Sequence, residues 1–469
     1  MKQYKHCVFL LADGARPDVI GHLLKQGELP NFHKLFIEQG TFKRAVTVFP
    51  STTGPAYLPF LTGYYPGHCN IPGIRWFDRS EYAKEKIFNF RRFRSYVGVE
   101  SYFFNRDLAE KAKTLFHFSK KPVNIFNIIS QGSGFRGDHT RFTRSFYVLY
   151  AYSTQQWKFV DRWIGREIRR GLRKKPDFLF AVFPSVDELS HRTHPFSAPV
   201  LDAYRQVDLE LGEIYLKCKH LGMLEETLFL FTSDHGMSAT HSHFDLVQFM
   251  EQQGYQTFYY PLIFKRNFNL AVMQSGNSMA HLYLRSSFSG WSGKRERNEL
   301  EELMEPLCKR PEIAWVASLT EEGAVYVRGK QGEAWIEEKD QKIYFKTKGE
   351  DPFGFKNIKS SMTDEESLEV SFDQKYPDAF RQLLQIFKSE RTGDLVVTAA
   401  PGYDLRFAYE WPEHTASHGS LVDEHMHIPF ASSHPIGSTK KIRSVDVFPS
   451  ILKWMGNSEL GNVDGKCLF

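Results

Sequence analysis

TLFLFTSDHGM, residues 227–237, is the stretch that decides the fold. A run of apolar and β-branched residues with the length of a buried strand ends abruptly in Ser233, Asp234, His235 and Gly236. Ligands of open α/β sheets bind beyond the carboxyl ends of the strands, where this polar cluster is expected to lie. Asp and His supply the oxygen and nitrogen donors that zinc accepts. An isolated Asp-His-Gly is more often a capping turn, so the metal interpretation depends on recurrence of the pattern.

The pattern recurs at two other apolar segments. They are residues 8–12, which end at Asp13, and residues 178–183, which lead into Asp187 and His191. Asp187 and His191 are four residues apart, close enough to bind one ion from a loop or from one helical turn. Helical patterns at 30–39 and 198–220 alternate with the strands. This alternation predicts a parallel sheet.

A further segment supplies a hydroxyl group. The β-rich residues 42–49 are followed by Pro-Ser-Thr-Thr-Gly-Pro, and Pro55 is placed like the first residue of a helix. Thr53 is then expected at the helix N-terminus, where unpaired N–H groups and the helix dipole stabilise an anion. Capping of the helix by Thr52 or Thr53 is the alternative, and Thr52 is also an alternative nucleophile.

A histidine-dense stretch, EHTASHGSLVDEHMHIP at 413–429, adds a candidate in His418. The strand ends and loops together supply three carboxylates, three imidazoles and one hydroxyl: Asp13, Asp187, Asp234, His191, His235, His418 and Thr53. This set suits two divalent ions about 4 Å apart, one holding the threonine alkoxide and the other the leaving oxygen of a phosphoryl group. For the H-x-H pair His241 and His243, packing within a loop is favoured over metal binding.

Motifs spread over the whole chain resemble a known family. They are LLADGARPD at 10–18, VFPSTTGPAYLPFLTGYYPGH at 48–68, SVDELSH at 185–191, TSDHGM at 232–237, SHGS at 417–420, DVFPSILKWMG at 446–456 and VDGKCLF at 463–469. In this order they are similar to the alkaline phosphatase superfamily, and within it to the type I phosphodiesterase/nucleotide pyrophosphatase branch. The resemblance implies an α/β fold, a three-layer α/β/α sandwich with a mostly parallel central sheet and an inserted cap lobe. We expect the catalytic core at 1–245 and 395–469 and the lobe at 246–394.

The resemblance also implies a role for each candidate residue. One metal ion is expected on Asp13, Asp234 and His235, and it would activate Thr53, which is both nucleophile and ligand. The second ion is expected on Asp187, His191 and His418. Zinc is the usual ion of the branch, so the cofactors predicted are two divalent ions, with zinc favoured.

Ala56 departs from the family pattern. The branch typically has an asparagine here whose amide contacts a phosphate oxygen, and alanine cannot donate that hydrogen bond. Substrate recognition at Ala56 is therefore expected to differ, or to be supplied by another group. A sulfatase is excluded because residues 53–57 lack the C-x-P-x-R context.

The function predicted is hydrolysis of a phosphate diester or pyrophosphate, nucleotide-type or related, through a phosphothreonine intermediate on Thr53. Aromatic residues such as Trp76 and Phe77 are expected to contact the substrate, with ordinary core packing as the alternative. A phosphomonoesterase is a rival that requires an added positive group, for which the sequence offers Arg16, Arg75 and Arg79. Phosphonate hydrolysis and transfer of a phosphoryl-linked group are further rivals. A catalytically silent metal-binding scaffold is disfavoured because every ligand and the hydroxyl are present.

Composition limits the remaining possibilities. A formal charge of +5 on 469 residues argues against nucleic-acid binding as the main activity. Five scattered cysteines without a C-x-x-C motif indicate neither a disulfide framework nor a thiolate metal site. No apolar run is long enough for a transmembrane helix, and the run at 7–12 is too short for a signal peptide, which predicts a cytoplasmic location. The basic residues at 158–175 are interpreted as a solvated helix face rather than a membrane or polyanion contact. The natural substrate and the oligomeric state do not follow from the sequence.

Overall fold

The computed structural model describes residues 3–84, 91–265, 267–293, 295–406, 413–437, 440–457 and 461–468. Two large sheets organise these residues, a seven-stranded core sheet and a nine-stranded second sheet. No helix within the described ranges is long and apolar enough to cross a membrane.

The core sheet is mostly parallel. From one edge to the other its strands are Ile442–Arg443, Thr41–Val46, His427–Ser432, Thr227–Thr232, His6–Ala12, Phe178–Phe183 and Pro122–Ile125. His427–Ser432 runs antiparallel to both of its neighbours, and the other neighbouring pairs are parallel. The predicted parallel sheet is confirmed, and the strand predicted at 178–183 has those bounds.

Helices cover both faces of the core sheet because its central strands are apolar on both faces. In the first strand, Val8 and Leu10 point to one side and Phe9 and Leu11 to the other. One side packs against the helices Pro17–Lys25, Trp157–Leu172 and Ala198–His220, and the other against Leu58–Thr62 and Val447–Trp454. This is the predicted three-layer α/β/α sandwich.

The second sheet is almost entirely antiparallel. In order its strands are Thr257–Phe258, Leu270–Ser275, Met279–Leu284, Leu395–Ala399, Ile313–Leu319, Val325–Gly329, Gly332–Lys339, Lys342–Gly349 and Ser361–Thr363. Only the first pair is parallel among these strands of the described chain. Helices pack on both of its faces: Asp364–Ser371 and Ala379–Ile386 on one, Leu246–Gln252 and Arg297–Cys308 on the other. The inserted lobe is therefore a layered α/β unit with its own core.

The predicted return to the catalytic core at residue 395 is wrong. Leu395–Ala399 lies in the middle of the second sheet, between Met279–Leu284 and Ile313–Leu319. The chain rejoins the core sheet only at His427–Ser432. A strand covered on both faces is apolar throughout, so this pattern is the same in the centre of either sheet.

Smaller elements complete the described chain. The other α-helices are Pro30–Phe32, Arg79–Ala83, Phe104–Asp107, Gly134–Gly137, Arg144–Thr154, Ser185–Thr193 and Asp423–Met426. Short helices of other types span His33–Glu38, Pro55–Tyr57, Gly98–Phe103, Leu115–Phe118, Leu224–Glu226 and Ser444–Asp446. Three strand pairs stand apart: Arg75–Phe77 with Phe93–Ser95, Ser238–Ala239 with Ala416–Ser417, and Ser242–His243 with Tyr403–Asp404.

A buried ion-pair network joins the two sheets. Arg443, on the edge strand of the core sheet, donates to Asp378 at 2.6 Å and to Asp364 at 2.5 Å. Both carboxylates belong to the helical layer of the second sheet. Arg381 of the same layer donates to the other oxygen of Asp364 at 2.7 Å.

Candidate metal centre

Parallel strands of the core sheet bring the acidic candidates to one edge. Asp13 directly follows His6–Ala12, and Asp234 follows Thr227–Thr232 after one intervening residue, Ser233. Asp187 lies in the first turn of the helix Ser185–Thr193. Only Pro184 separates this helix from the strand Phe178–Phe183. All three are buried. The strands are neighbours in the sheet, so their polar ends converge.

Thr53 lies against the first group of candidates. Its Oγ1 is 3.3 Å from Asp13 Oδ1 and 3.2 Å from His235 Nε2. The same Nε2 atom is 3.2 Å from Asp234 Oδ2 and 3.5 Å from Asp13 Oδ1. The hydroxyl and the three ligands predicted for the first metal therefore surround one point.

Asp187 connects that group to the second one. His191, one helical turn away, has Nε2 3.5 Å from Asp187 Oδ2, and His418 Nε2 is 3.9 Å from Asp187 Oδ1. Two sets of possible metal-binding atoms result, each with its atoms within 4.8 Å of one another: Asp13, Asp187 and His235, and Asp187, His191 and His418. The rings of His235 and His418 are stacked with centroids 3.8 Å apart. Asp187 thus lies between two adjacent sites.

Backbone carbonyls fix the orientation of all three imidazoles. The Nδ1 of His191 is 2.8 Å from the Ala416 carbonyl, that of His235 is 3.0 Å from Gly236, and that of His418 is 2.9 Å from Ser51. A neutral ring that donates through Nδ1 has its lone pair on Nε2. The Nε2 atoms face the carboxylates, which is how metal-binding histidines are held.

Burial and mutual repulsion set the protonation of these groups. Burial, together with the charges of neighbouring carboxylates, raises the pKa of Asp13 and of Asp187 well above the usual range. Burial raises the pKa of Asp234 to about 7. Burial and nearby imidazoles lower the pKa of His191 and His418 far below the usual range. A bound cation would stabilise the ionised form of these clustered acids, and the neutral imidazoles have a nitrogen lone pair with which to bind it.

Two buried carboxylate oxygens test whether the site fits a metal ion. Asp187 Oδ1 and Asp234 Oδ2 make no hydrogen bond within the described chain. Such oxygens are costly to bury unless something else satisfies them. Hard oxygens and imidazole nitrogens facing one small space are suitable ligands for a divalent ion such as zinc. The residues present therefore fit the metal-binding role.

Tyr57 is a member of the site that sequence reasoning missed. Its hydroxyl donates to Asp13 Oδ2 at 2.8 Å, and its ring is buried in the core. This hydrogen bond holds one carboxylate oxygen and leaves Oδ1 facing Thr53. Tyr57 ends the short helix Pro55–Tyr57, and Thr53 lies in the turn before that helix, so no periodic pattern in the sequence links the two residues.

The second sheet also contacts the centre. The turn at Gly276, between Leu270–Ser275 and Met279–Leu284, accepts a hydrogen bond from His418 N at 3.2 Å. Ser278 N donates to the His418 carbonyl at 3.0 Å. Gly276 has φ +67°, and a Cβ there would lie 2.8 Å from His418 Nδ1. The loop of His418 is therefore held by the inserted lobe, and close approach requires glycine.

His414 is another imidazole that was not predicted. Its ring lies 4.4 Å from that of His191, and its Nδ1 is 3.2 Å from Asn277 Nδ2. The pair His241 and His243, by contrast, lies apart from the metal-binding sets. His243 contacts Asp404 at 2.8 Å and Glu413 at 3.1 Å, which agrees with packing within a loop.

Three residues predicted to contact the substrate are fully buried. Trp76 Nε1 donates to the Tyr96 hydroxyl at 3.1 Å, and Phe77 packs against Tyr283 with ring centroids 5.5 Å apart. Ala56 is enclosed by core residues. These side chains present no surface to a ligand, so the observed packing contradicts direct contact and favours the core alternative. Sequence composition does not distinguish aromatic core from an aromatic cleft wall.

Thr52 and two of the three candidate arginines differ from Thr53 in their surroundings. Thr52 is buried, and its hydroxyl makes no hydrogen bond within the described chain. Arg16 is paired with Asp18 and Glu424, and Arg79 is paired with Asp394. These two guanidinium groups are therefore already neutralised by carboxylates.

Comparison with known proteins adds a family match and a fold match. The family model described as type I phosphodiesterase/nucleotide pyrophosphatase matches residues 7–421. A curated relative, GPI ethanolamine phosphate transferase 1 of Mus musculus, is 24% identical over 262 residues, which are 51% of this chain and 24% of the relative. The chain thus spans about a quarter of the length of that relative.

Two solved structures show the same fold at low identity. Murine ectonucleotide pyrophosphatase/phosphodiesterase 5 has 15% identity and a TM-score of 0.59, with 97% of this chain and 96% of that chain covered. Phosphonoacetate hydrolase from Sinorhizobium meliloti 1021, in complex with phosphonoformate, has 16% identity and a TM-score of 0.58, with 97% and 96% covered. The family match supports a phosphoester hydrolase or transferase. Because the family model covers most of the chain, the chain belongs to the type I phosphodiesterase/nucleotide pyrophosphatase family.

Proposed function

We propose that the chain is a metal-dependent hydrolase of phosphate diesters or pyrophosphates, with Thr53 as nucleophile and two divalent ions, zinc by preference, as cofactors. One observation carries the proposal: the Thr53 hydroxyl lies beside two adjacent sets of metal-binding atoms that share Asp187. A pair of metal ions next to a nucleophile would stabilise both the attacking and the leaving oxygen of an in-line displacement at phosphorus.

The residues divide between the two ions by proximity. Asp13, Asp234 and His235 would hold the ion next to Thr53. Asp187, His191 and His418 would hold the other. When bound, the ions would supply positive charge that favours the ionised hydroxyl and neutralises the non-bridging phosphoryl oxygens.

Thr53 forms and then loses a bond to phosphorus in this proposal. Its Oγ1 loses the hydroxyl proton to solvent and attacks phosphorus, while the alcohol or phosphate on the opposite side leaves with the bonding electron pair and takes up a proton from solvent. Water then attacks the phosphothreonine, Oγ1 departs and is reprotonated, and phosphate monoester is released. Asp13 and His235 fix the position of Oγ1 for the attack.

The ion pairs of Arg16 and Arg79 favour a diester over a monoester. A monoester carries an additional negative charge, which an unpaired cationic side chain would best neutralise. Arg16 and Arg79 are already engaged with carboxylates. Ala56 contributes no hydrogen bond to the phosphate, so the substrate must be oriented by other groups.

Transfer to an acceptor other than water is the second candidate. It is favoured by the alignment with a relative whose name is GPI ethanolamine phosphate transferase 1. The phosphothreonine step would be the same, and an alcohol would replace water in the second step. Adding an alcohol to the reaction distinguishes hydrolysis from transfer. If the protein is a transferase, part of the product becomes the ester of the added alcohol instead of the hydrolysed phosphate monoester.

The test compares p-nitrophenol release by the zinc-loaded protein from bis-p-nitrophenyl phosphate, thymidine 5′-monophosphate p-nitrophenyl ester and p-nitrophenyl phosphate. We expect the diesters to react faster than the monoester. Thr53→Ala should lower the diester rate by roughly 1,000-fold or more, since the nucleophile is removed. Thr52→Ala is the matched control and should retain the rate. Full activity of Thr53→Ala contradicts the proposal, and preference for the monoester replaces the diester assignment with a phosphatase.

A further inference from the structure

A group of large apolar side chains stands out from the surface around the helix Arg144–Thr154. Phe135 is 68% exposed, Phe142 74%, Phe146 63% and Leu149 67%. We call these four residues the aromatic patch. The rings of Phe135 and Phe142 lie 5.9 Å apart, Phe142 is in the turn before the helix, and Phe146 and Leu149 have the spacing of one helical face. Single exposed apolar residues are ordinary, but a cluster of them marks an interaction surface.

The exposed face is additional to the face that the helix uses for packing. On its inner side Ala151 and Arg144 are buried, and Tyr147 stacks on Trp163 with centroids 3.8 Å apart. The helix is therefore already anchored to the core. An amphipathic helix of a globular protein has one apolar face, so a second one indicates a further contact.

Basic side chains surround the aromatic patch. The Arg141 guanidinium lies 5.8 Å from the Phe135 ring and 5.9 Å from the Phe142 ring. On the neighbouring helix Trp157–Leu172, Arg162, Arg166 and Arg170 are exposed at four-residue spacing. We call these three residues the basic stripe.

An aromatic contact brings the basic stripe next to the patch helix. Phe159 packs against Tyr150 of the patch helix at 5.5 Å, and the guanidinium groups of Arg162 and Arg166 each lie 5.9 Å from the Phe159 ring. Residues 134–175 contain eleven Lys and Arg against three Asp and Glu. That net charge of +8 exceeds the +5 of the whole chain, so the positive charge is concentrated here.

This surface adjoins the candidate metal centre. Tyr152 of the patch helix donates to Glu188 at 2.8 Å, and Glu188 follows Asp187, one of the proposed ligands. Arg144 of the same helix donates to the Asn127 carbonyl at 2.6 Å. The neighbouring Ile128 approaches to 3.0 Å of the Cβ position at Gly54, beside the nucleophile. The helix that carries the patch is therefore packed against segments next to the candidate metal centre.

We propose that the aromatic patch and the basic stripe dock the protein on the surface of a membrane that contains anionic lipids. Rings would lie among the headgroups and arginines on their phosphates, as in helices that bind in the membrane interface. Arg141 lies between two phenylalanines, arginines flank the patch, and residues 134–175 carry a net charge of +8. This excess of positive charge is complementary to an anionic lipid surface. The docking surface does not depend on the reaction proposed above, but it would position that site at the interface.

The test measures co-sedimentation of the full chain with vesicles of phosphatidylcholine alone and with vesicles in which about a quarter of the lipid is phosphatidylserine. We expect binding to the anionic vesicles that weakens as salt is raised. The double variant Phe142→Ser/Phe146→Ser and the double variant Arg162→Gln/Arg166→Gln should each bind at least tenfold more weakly. Both should keep the rate on soluble p-nitrophenyl esters and the wild-type melting temperature, because the replaced side chains are exposed.

Phe264→Ser/Phe288→Ser is the matched control. These phenylalanines are 89% and 79% exposed and lie outside the patch, so the control should bind vesicles as the wild type does. Absence of binding to anionic vesicles overturns the proposal, and so does equal binding by the patch variants. If sedimentation velocity shows a dimer that Phe142→Ser/Phe146→Ser dissociates and no vesicle binding, the patch is a protein interface instead.

Discussion

Tyr57 shows how one hydroxyl group can prepare the proposed metal centre. Its hydrogen bond to Asp13 Oδ2 holds a carboxylate that is otherwise surrounded by other acids. Because one oxygen is held, the other is presented to Thr53 and His235. Partners of this kind, one step removed from the ion, tune metal affinity.

We predict that Tyr57→Phe weakens zinc binding by roughly 10- to 100-fold, because Asp13 loses the donor that orients it. The measurement is a competition titration with a chelator, followed by turnover at saturating zinc, where most of the rate should return. Tyr283→Phe is the matched control. The buried Tyr283 hydroxyl donates at 2.6 Å to the Arg391 carbonyl in the inserted lobe. Unchanged zinc affinity in Tyr57→Phe would show that Asp13 needs no such support.

At this scale the sequence could predict which residues converge but not which side chains support them. Asp13, Asp187 and Asp234 could be placed because parallel strands end at a common edge. Tyr57 and His414 could not, because their partners are determined by tertiary packing. Their roles as ligands or supports remain predictions, whereas the convergence of the acids is observed.

At the scale of elements, the turn at Gly276 links the inserted lobe to His418 of the candidate metal centre. Two backbone hydrogen bonds join the turn to the His418 segment, and the glycine makes room for the imidazole. The hairpin therefore acts as a support for a proposed ligand. No pattern in the sequence predicts this contact, because the turn and the histidine come from separate segments.

We predict that Gly276→Ala lowers the bound zinc from two ions toward one and abolishes most of the diester turnover. The added Cβ would lie 2.8 Å from both Nδ1 and the carbonyl of His418, so the ligand must move. Bound zinc is measured by elemental analysis after gel filtration. Gly323→Ala controls for backbone strain, since Gly323 has φ +88° in the same lobe with no atom within 4 Å of its Cβ position. If Gly276→Ala still binds two zinc ions, the turn at Gly276 is not needed to hold His418 in place.

Elements in the core could be predicted closely because their patterns are long. The helix expected at 198–220 is Ala198–His220, and the strand expected at 8–12 is His6–Ala12. The strand Leu395–Ala399 is predicted in the catalytic core but lies in the second sheet. A fully apolar sequence shows that a strand is buried on both faces, but it does not show which strands pair with it. Pairing of this kind is determined by contacts distant in sequence.

At the scale of the whole molecule, the ion pairs around Asp364 join the two lobes. Burial opposes ionisation of this carboxyl, but the charges of Arg443 and Arg381 outweigh burial and lower its pKa to about 2. The folded pKa is below the usual 3.8, so the ionised group stabilises the folded state above about pH 4. That contribution is lost as the pH falls through about 2.

We predict that Asp364→Asn lowers the free energy of unfolding by about 2 kcal/mol at pH 6 and by roughly half as much at pH 3. Urea unfolding of both proteins, with a chelator present throughout, measures the difference at each pH. Asp373→Asn is the control, because this exposed carboxylate pairs with Arg44 and Lys441 at the surface and should contribute little. A difference that does not change with pH would contradict the ionic origin of the effect.

The position of His427–Ser432 in the core sheet has a consequence for biosynthesis. This strand, made late, lies between Thr41–Val46 and Thr227–Thr232, which are made much earlier. On the ribosome Thr41–Val46 must wait until residues 427–432 have been translated before it can join the sheet. His418 emerges just before that late strand, so the proposed second metal site is completed at nearly the same moment. A nascent or prematurely terminated chain would therefore have the proposed nucleophile without the complete proposed metal centre, and we expect activity only after translation has passed this point.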